Sequence, residues 1–138
     1  MVKLIVGVKG TGKTKTLIDM ANEALETSSG CVVCVEKGTN LKYDIKYTAR
    51  LIDTTEYGIG SAESLYGFIC GLYAMNYDVT HIFIDSALKI ISPEKNLEEF
   101  SQFLDSIDKI AGKNNFQCIM TASVSPENLP EEILKYTK

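Results

Sequence analysis

Gly7-Val-Lys-Gly-Thr-Gly-Lys-Thr14 fits the pattern G-x-x-x-x-G-K-[ST] without a mismatch. Each position has a physical job. Gly7, Gly10 and Gly12 tolerate backbone angles that other residues resist, so successive N–H groups can turn inward around phosphate oxygens. A helix opening near Lys13 adds its unpaired N–H groups and its positive dipole end. The Lys13 ammonium is placed to reach β- and γ-phosphates, and the Thr14 hydroxyl suits a Mg²⁺ ion that keeps several waters. Val8, Lys9, Thr11 and Lys15 complete the stretch expected to surround the phosphates.

Outward from this loop, strand and helix patterns alternate. Lys3 to Val8 is a short β-branched run and predicts a strand. Leu17, Ile18, Ala21, Ala24 and Leu25 have helical spacing, so a helix is expected over Lys13 to Thr27, stopped by Ser28-Ser29-Gly30. Cys31 to Glu36, Ala49 to Asp53, Thr80 to Asp85 and Phe116 to Ala122 read as further strands. Ser61 is a suitable cap for a helix from Ala62 to Met75. Ser92-Pro93-Glu94 predicts the start of another, with Leu97, Phe100, Phe103, Leu104, Ile107 and Ile110 on one face and Gly112 as its stop. Ser125-Pro126 and Pro130 open a short C-terminal helix. The strands are nearly continuous apolar runs. The expectation is an α/β fold of three layers, with about five mostly parallel strands and helices on both faces.

Composition narrows the function classes. The chain has 138 residues, a size suited to one domain over residues 1–138. Fourteen basic and eighteen acidic residues give a net charge of −4, which disfavours nucleic acid and anionic membranes as partners. Arg50 is the only arginine, so chemistry that needs several bidentate phosphate clamps is disfavoured. No apolar run reaches the roughly 20 residues of a membrane span. The N-terminal run lacks signal-peptide features, so a cytoplasmic location with reduced cysteines is expected. Cys31 and Cys34 form a CxxC, but residues three apart on a strand point to opposite faces, so buried small apolar side chains are expected rather than a zinc or redox pair. The nearly all-round apolar helix at 62–75 is expected either to wedge against the sheet or to serve a protein partner or self-association.

The Gly7–Thr14 segment resembles the Walker A motif of the P-loop NTPase superfamily. Ile82-Phe-Ile-Asp85 resembles the superfamily's second signature, an apolar strand ending in aspartate. The resemblance implies that Thr14 and Asp85 hold Mg²⁺, Asp85 through a water, and that Lys13 acts on the phosphates. The guanine-specifying N/T-K-x-D does not follow the Asp85 strand, so ATP (and ADP) is the expected ligand. The lysine directly after the first glycine in partition-type ATPases is replaced here by Val8. In the RecA-like branch, a glutamate often follows the second-motif aspartate, where this chain has Ser86. Some members carry it instead at the end of the strand after the phosphate-loop helix, which is the location of Glu36. Resemblance therefore makes Glu36 the candidate for orienting attacking water, and Thr121 and Ser123 the candidate γ-phosphate sensors.

The chain also looks similar to short bacterial proteins labelled after twitching-motility ATPases. The implied activity is Mg-dependent ATP binding with slow hydrolysis. The alternatives are a non-hydrolysing regulatory or adaptor module and, third, a small-molecule kinase.

Overall fold

A computed structural model describes all residues, Met1–Lys138. Five strands form one sheet: β1 (Val2–Gly7), β2 (Cys31–Glu36), β3 (Arg50–Asp53), β4 (Val79–Ile84) and β5 (Gln117–Ser123). Their order is β1-β5-β4-β2-β3, and every neighbouring pair is parallel. The central strand β4 shows why the apolar runs are continuous: Ile82, Phe83 and Ile84 alternate between two covered faces, and all three are buried.

Five helices cover the sheet: α1 (Lys13–Thr27), α2 (Ala62–Met75), α3 (Ala87–Ile91), α4 (Leu97–Asn114) and α5 (Glu131–Leu134). Leu17, Ala21 and Ala24 of α1 pack on Val32, Cys34, Phe83 and Ile119 of one sheet face. Residues 37–49 descend beside α1 and plug Leu41, Ile45 and Ala49 into the same cluster. The other face carries α2, α3, α4 and α5 over Leu4, Val33, Val35, Ile82, Ile84 and Met120. The molecule is thus an α/β sandwich of three layers, as expected from the alternating pattern. No helix is long and apolar enough to cross a membrane.

Strong local signals place several boundaries. Helix α2 begins after Ser61, whose hydroxyl accepts from Ser64 N at 3.1 Å while Ser64 reaches back to Ser61 N at 3.0 Å. Ala62, Leu65 and Ile69 are its buried stripe, and Gly67 and Gly71 face outward. Cys31 packs partly against one face and Cys34 is buried on the other, so the CxxC forms no pair.

Two expectations need correction. The helix expected at Ser92-Pro93 starts instead at Leu97, capped by Asn96, whose side chain accepts from Glu99 N at 3.0 Å. Ser92 closes the short helix α3 (Ser92 N to Leu88 O, 2.9 Å), and its hydroxyl accepts from Asn96 N at 3.0 Å. Lys95 sits in this turn at φ 58°, a left-handed geometry that prevents an unbroken helix from Ser92. The stop expected at Gly112 is two residues early. Helix α4 runs to Asn114, and Asn115 takes the left-handed cap at φ 60° so that Phe116 can enter the core fully buried.

Candidate functional site

The strand order brings three carboxyl ends together. β5 lies between β1 and β4, with Gly7 level with Ser123 and Ile84 level with Met120. Open parallel sheets build their crevices beyond this edge. Here the edge holds the Gly7–Thr14 loop, Asp85 just past β4, and Thr121 and Ser123 at the end of β5.

A chain of hydrogen bonds ties these elements. Thr14 Oγ1 donates to the Asp85 carboxylate, lying 3.2 Å from each oxygen. Thr121 Oγ1 donates to Asp85 Oδ1 at 2.6 Å and accepts from Ser86 N at 2.8 Å. Asp85 N in turn donates to Val35 O at 2.9 Å, which fixes the strand end against β2. Thr121 is buried, so its hydroxyl has little water to turn to. Ser86 stands at φ 53°, and its N–H bond to Thr121 helps hold that left-handed conformation.

Glycines give the loop its shape. Gly10 and Gly12 have φ of 87° and 85°, and Gly12 is the residue before α1. A Cβ at Gly7 would lie 2.6 Å from Thr11 Oγ1, so the Thr11 hydroxyl would have to turn away from Val8 O. The Val8 carbonyl accepts from Thr11 Oγ1 at 2.7 Å and from Lys13 Nζ at 2.9 Å. Lys13 is only 9% exposed, its ammonium folded against the carbonyl of its own loop.

Above the loop lies a cleft of about 500 Å³. Of the expected residues, Lys9, Gly10, Gly12, Lys13, Thr14, Lys15, Thr121 and Ser123 line it. Gly7, Val8 and Thr11 shape the loop behind that lining, and Asp85 joins through Thr14. Ser86, Leu88, Lys89, Pro93 and Lys95 also line the cleft, and these the sequence reading did not assign to it. The sequence signals a helix start only at Ser92-Pro93-Glu94 and assigns no element to 86–91, because a left-handed Ser86 and a left-handed Lys95 leave no signal in composition or periodicity.

Glu36 is not brought into this cleft. It is 8% exposed, and its Oε2 accepts from Leu41 N at 2.7 Å, anchoring the start of the 37–49 segment. It lines a separate cavity of about 210 Å³ together with Asp53, Glu56 and Tyr57. Glu36 nonetheless follows Val35, which is level with Ile84, so the two carboxylates project from neighbouring strand ends. Arg50 is exposed at the opposite end of the edge strand β3. His81 lies far from the cleft, near the start of β4, parallel to the Phe83 ring; burial holds its pKa below the usual value.

Thr14 and Asp85 offer hard oxygen donors within contact of each other, a donor set that suits Mg²⁺ completed by phosphate oxygens and water. The loop and its lysines can hold a phosphate chain; Thr121 can fix the carboxylate.

No family model matches the chain, and no curated protein matches it. Solved structures do. One is the flagellar accessory protein FlaH from Methanocaldococcus jannaschii, with a TM-score of 0.62 and 17% sequence identity. The match covers 99% of this chain and 66% of that one, so this chain spans just under two thirds of its neighbour's length. At this identity the likeness establishes the fold: a P-loop, RecA-like α/β arrangement.

Proposed function

We propose that residues 1–138 act as one nucleotide-binding unit that holds ATP with Mg²⁺ at the Gly7–Thr14 loop and hydrolyses it slowly. The observation that carries this reading is the Thr14–Asp85–Thr121 chain at the mouth of a glycine loop. It joins a loop made for phosphates to a carboxylate suited to a divalent cation. In the proposed roles, backbone N–H groups of Gly10 to Thr14 cradle the phosphates, and Lys13 leaves the Val8 carbonyl to meet them. Thr14 and Asp85 would hold Mg²⁺, which when bound neutralises phosphate charge. Thr121 keeps Asp85 oriented, and Ser123 faces the cleft as a candidate sensor of the terminal phosphate. The four free thiols fit a reducing cytoplasm.

Glu36, which resemblance makes the candidate for orienting attacking water, lines a separate cavity and holds Leu41 N–H, so its role here is to anchor the 37–49 segment. Glu36→Gln keeps an oxygen for that N–H and removes the charge. It is expected to leave folding, binding and turnover intact; loss of turnover alone would give Glu36 the catalytic role.

A second reading has a specific observation in its favour. Ser86 follows Asp85, and the nearest glutamate is engaged structurally, which suits a module that binds nucleotide and scarcely hydrolyses it.

Isothermal titration of ATP and Mg²⁺ into wild type and Lys13→Ala, with phosphate release followed on the same samples, tests both. Binding with slow, Lys13-dependent release supports the ATPase. Binding without release supports the regulatory module. Absence of binding to the wild type refutes the proposal.

A further inference from the structure

The cleft has two cationic walls, and only one of them belongs to the glycine loop. Lys9, Lys13 and Lys15 come from the loop and the first turn of α1. Lys89, from α3, and Lys95, from the turn between α3 and α4, line the same cavity from the other side. Lys15 pairs with Asp19 at 3.1 Å, whereas Lys9, Lys13, Lys89 and Lys95 pair with no carboxylate. No acidic residue is among the thirteen that line the cleft. In a chain of net charge −4, four lysines without a carboxylate partner around one cavity outnumber the single Asp85 carboxylate behind Thr14 and Thr121, and form a local field that favours a multiply charged anion.

The wall is held by structure rather than left to chance. Ser92 is 1% exposed, its carbonyl accepts from Lys95 N at 2.9 Å, and its hydroxyl accepts from Asn96 N. That turn presents Lys95 at the cleft while the backbone beneath it stays anchored. Lys89 projects from the one exposed position of α3, whose other four residues are buried.

We propose that Lys89 and Lys95 bind the distal phosphates of the ligand, and that the cleft selects phosphate-chain length rather than base identity. This rests on the nucleotide-binding reading above. The chemistry of the walls supports it. Lysine is a compact point charge, which rewards the number of negative charges it meets, whereas arginine's planar fork rewards geometry. The sole arginine, Arg50, lies at the far edge strand and contributes nothing here. Leu88 and Pro93 are the only aliphatic lining groups beside the loop's glycines and lysine stems, and no aromatic ring is present to stack a base. The ligand class is therefore a chain of three or more phosphates, with or without a nucleoside.

The test uses the full chain and the pair Lys89→Gln with Lys95→Asn. Gln keeps helix propensity in α3, and Asn tolerates the left-handed backbone at position 95. Binding of ATP, ADP and inorganic tripolyphosphate is measured at fixed Mg²⁺ and at two salt concentrations. Wild type is expected to bind tripolyphosphate within about tenfold of ATP. The double variant is expected to bind both about 10- to 50-fold more weakly, with a shallower salt dependence and less than about threefold change for ADP. Equal weakening of ATP and ADP, or unchanged ATP affinity, overturns the proposal. So does a wild type that binds ATP but not tripolyphosphate. Should the wild type bind none of the three, the nucleotide-binding reading fails with it; if it binds and only Lys13→Ala abolishes binding, that reading stands and this one falls.

Discussion

Replacing Thr121 by Val keeps the shape of a buried side chain and removes one hydroxyl. That hydroxyl has two partners: it donates to Asp85 Oδ1 and accepts from Ser86 N. A hydrogen bond to a charged group contributes about 1.5–3 kcal/mol, and a buried N–H left unpartnered costs about 1–3 kcal/mol. Thr14 still donates to Asp85, and both Asp85 and Ser86 are half-buried, so water recovers part of each loss. The expected net destabilisation is about 3 kcal/mol. Unfolding entropy near 2.1 cal/mol/K per residue converts this, for a chain of this size, to a fall in Tm of about 10 °C. Urea unfolding followed by circular dichroism measures the free energy directly. Thr121→Ser is the control: it keeps both hydrogen bonds and loses one methyl, at a cost of about 1 kcal/mol. A double-mutant cycle with Asp85→Asn should return a coupling of at least about 1 kcal/mol. If the Val variant is no less stable than the Ser variant, the hydroxyl does not tie β5 to the Asp85 turn, and the account of the site's rigidity is wrong.

Three further outcomes are expected. Gly30→Ala would drive its Cβ into the Asp78 carbonyl oxygen and to 2.5 Å from Thr80 Cγ2, where β2 meets β4. The backbone atom cannot swing aside, so a loss of about 2–3 kcal/mol is expected in the same urea assay. Thr54→Val should be neutral or stabilise by up to about 1 kcal/mol, because Thr54 Oγ1 is buried with no hydrogen-bond partner; a clear loss of stability would show that the hydroxyl has a partner. Burial pushes the thiols of Cys34 and Cys118 up to about 12. The unfolded chain therefore releases these protons first. Stability is complete below about pH 8.5 and falls as pH rises towards 12, by up to about 1.4 kcal/mol per pH unit for each thiol. A shallower slope from pH 8.5 to 10.5 in Cys34→Ala/Cys118→Ala than in wild type checks the assignment; the slope left near pH 10 belongs to Tyr66 and Tyr136, whose pKa values are also raised.

Legibility followed the range of the deciding interaction. Helix α1 keeps its expected ends because a glycine loop and Ser28-Ser29-Gly30 bracket it within the local chain. Helix α2 keeps its expected start because Ser61 and Ser64 cap each other three residues apart. The strand bounds shift by a residue or so, as for β1 and β5, because pairing partners decide where a strand stops. Ser92 misleads because its cap signature is local, whereas its hydroxyl is used to build a turn that Asn96 then caps. Gly112 misleads because the anchoring of Phe116 in the core carries α4 past it. In the candidate site, Glu36 stands at the strand end that its sequence position suggests, but its carboxylate partner could not be read from sequence, since it depends on how residues 37–49 fold back.

The contiguous part of this protein was determined by its sequence alone: the glycine loop, the strand before it, the helix after it, and the alternation that makes a parallel sheet. These depend on residue-level backbone freedom and on periodicity, both of which are written along the chain. Which distant groups meet was decided only by the tertiary structure. The order β1-β5-β4 sets Thr121 on Asp85 and Asp85 beside Thr14, across separations of 36 and 71 residues. The same order sets Lys89 and Lys95 opposite Lys13. Strand order is a property of how apolar faces are shared in three dimensions, and no local pattern encodes it.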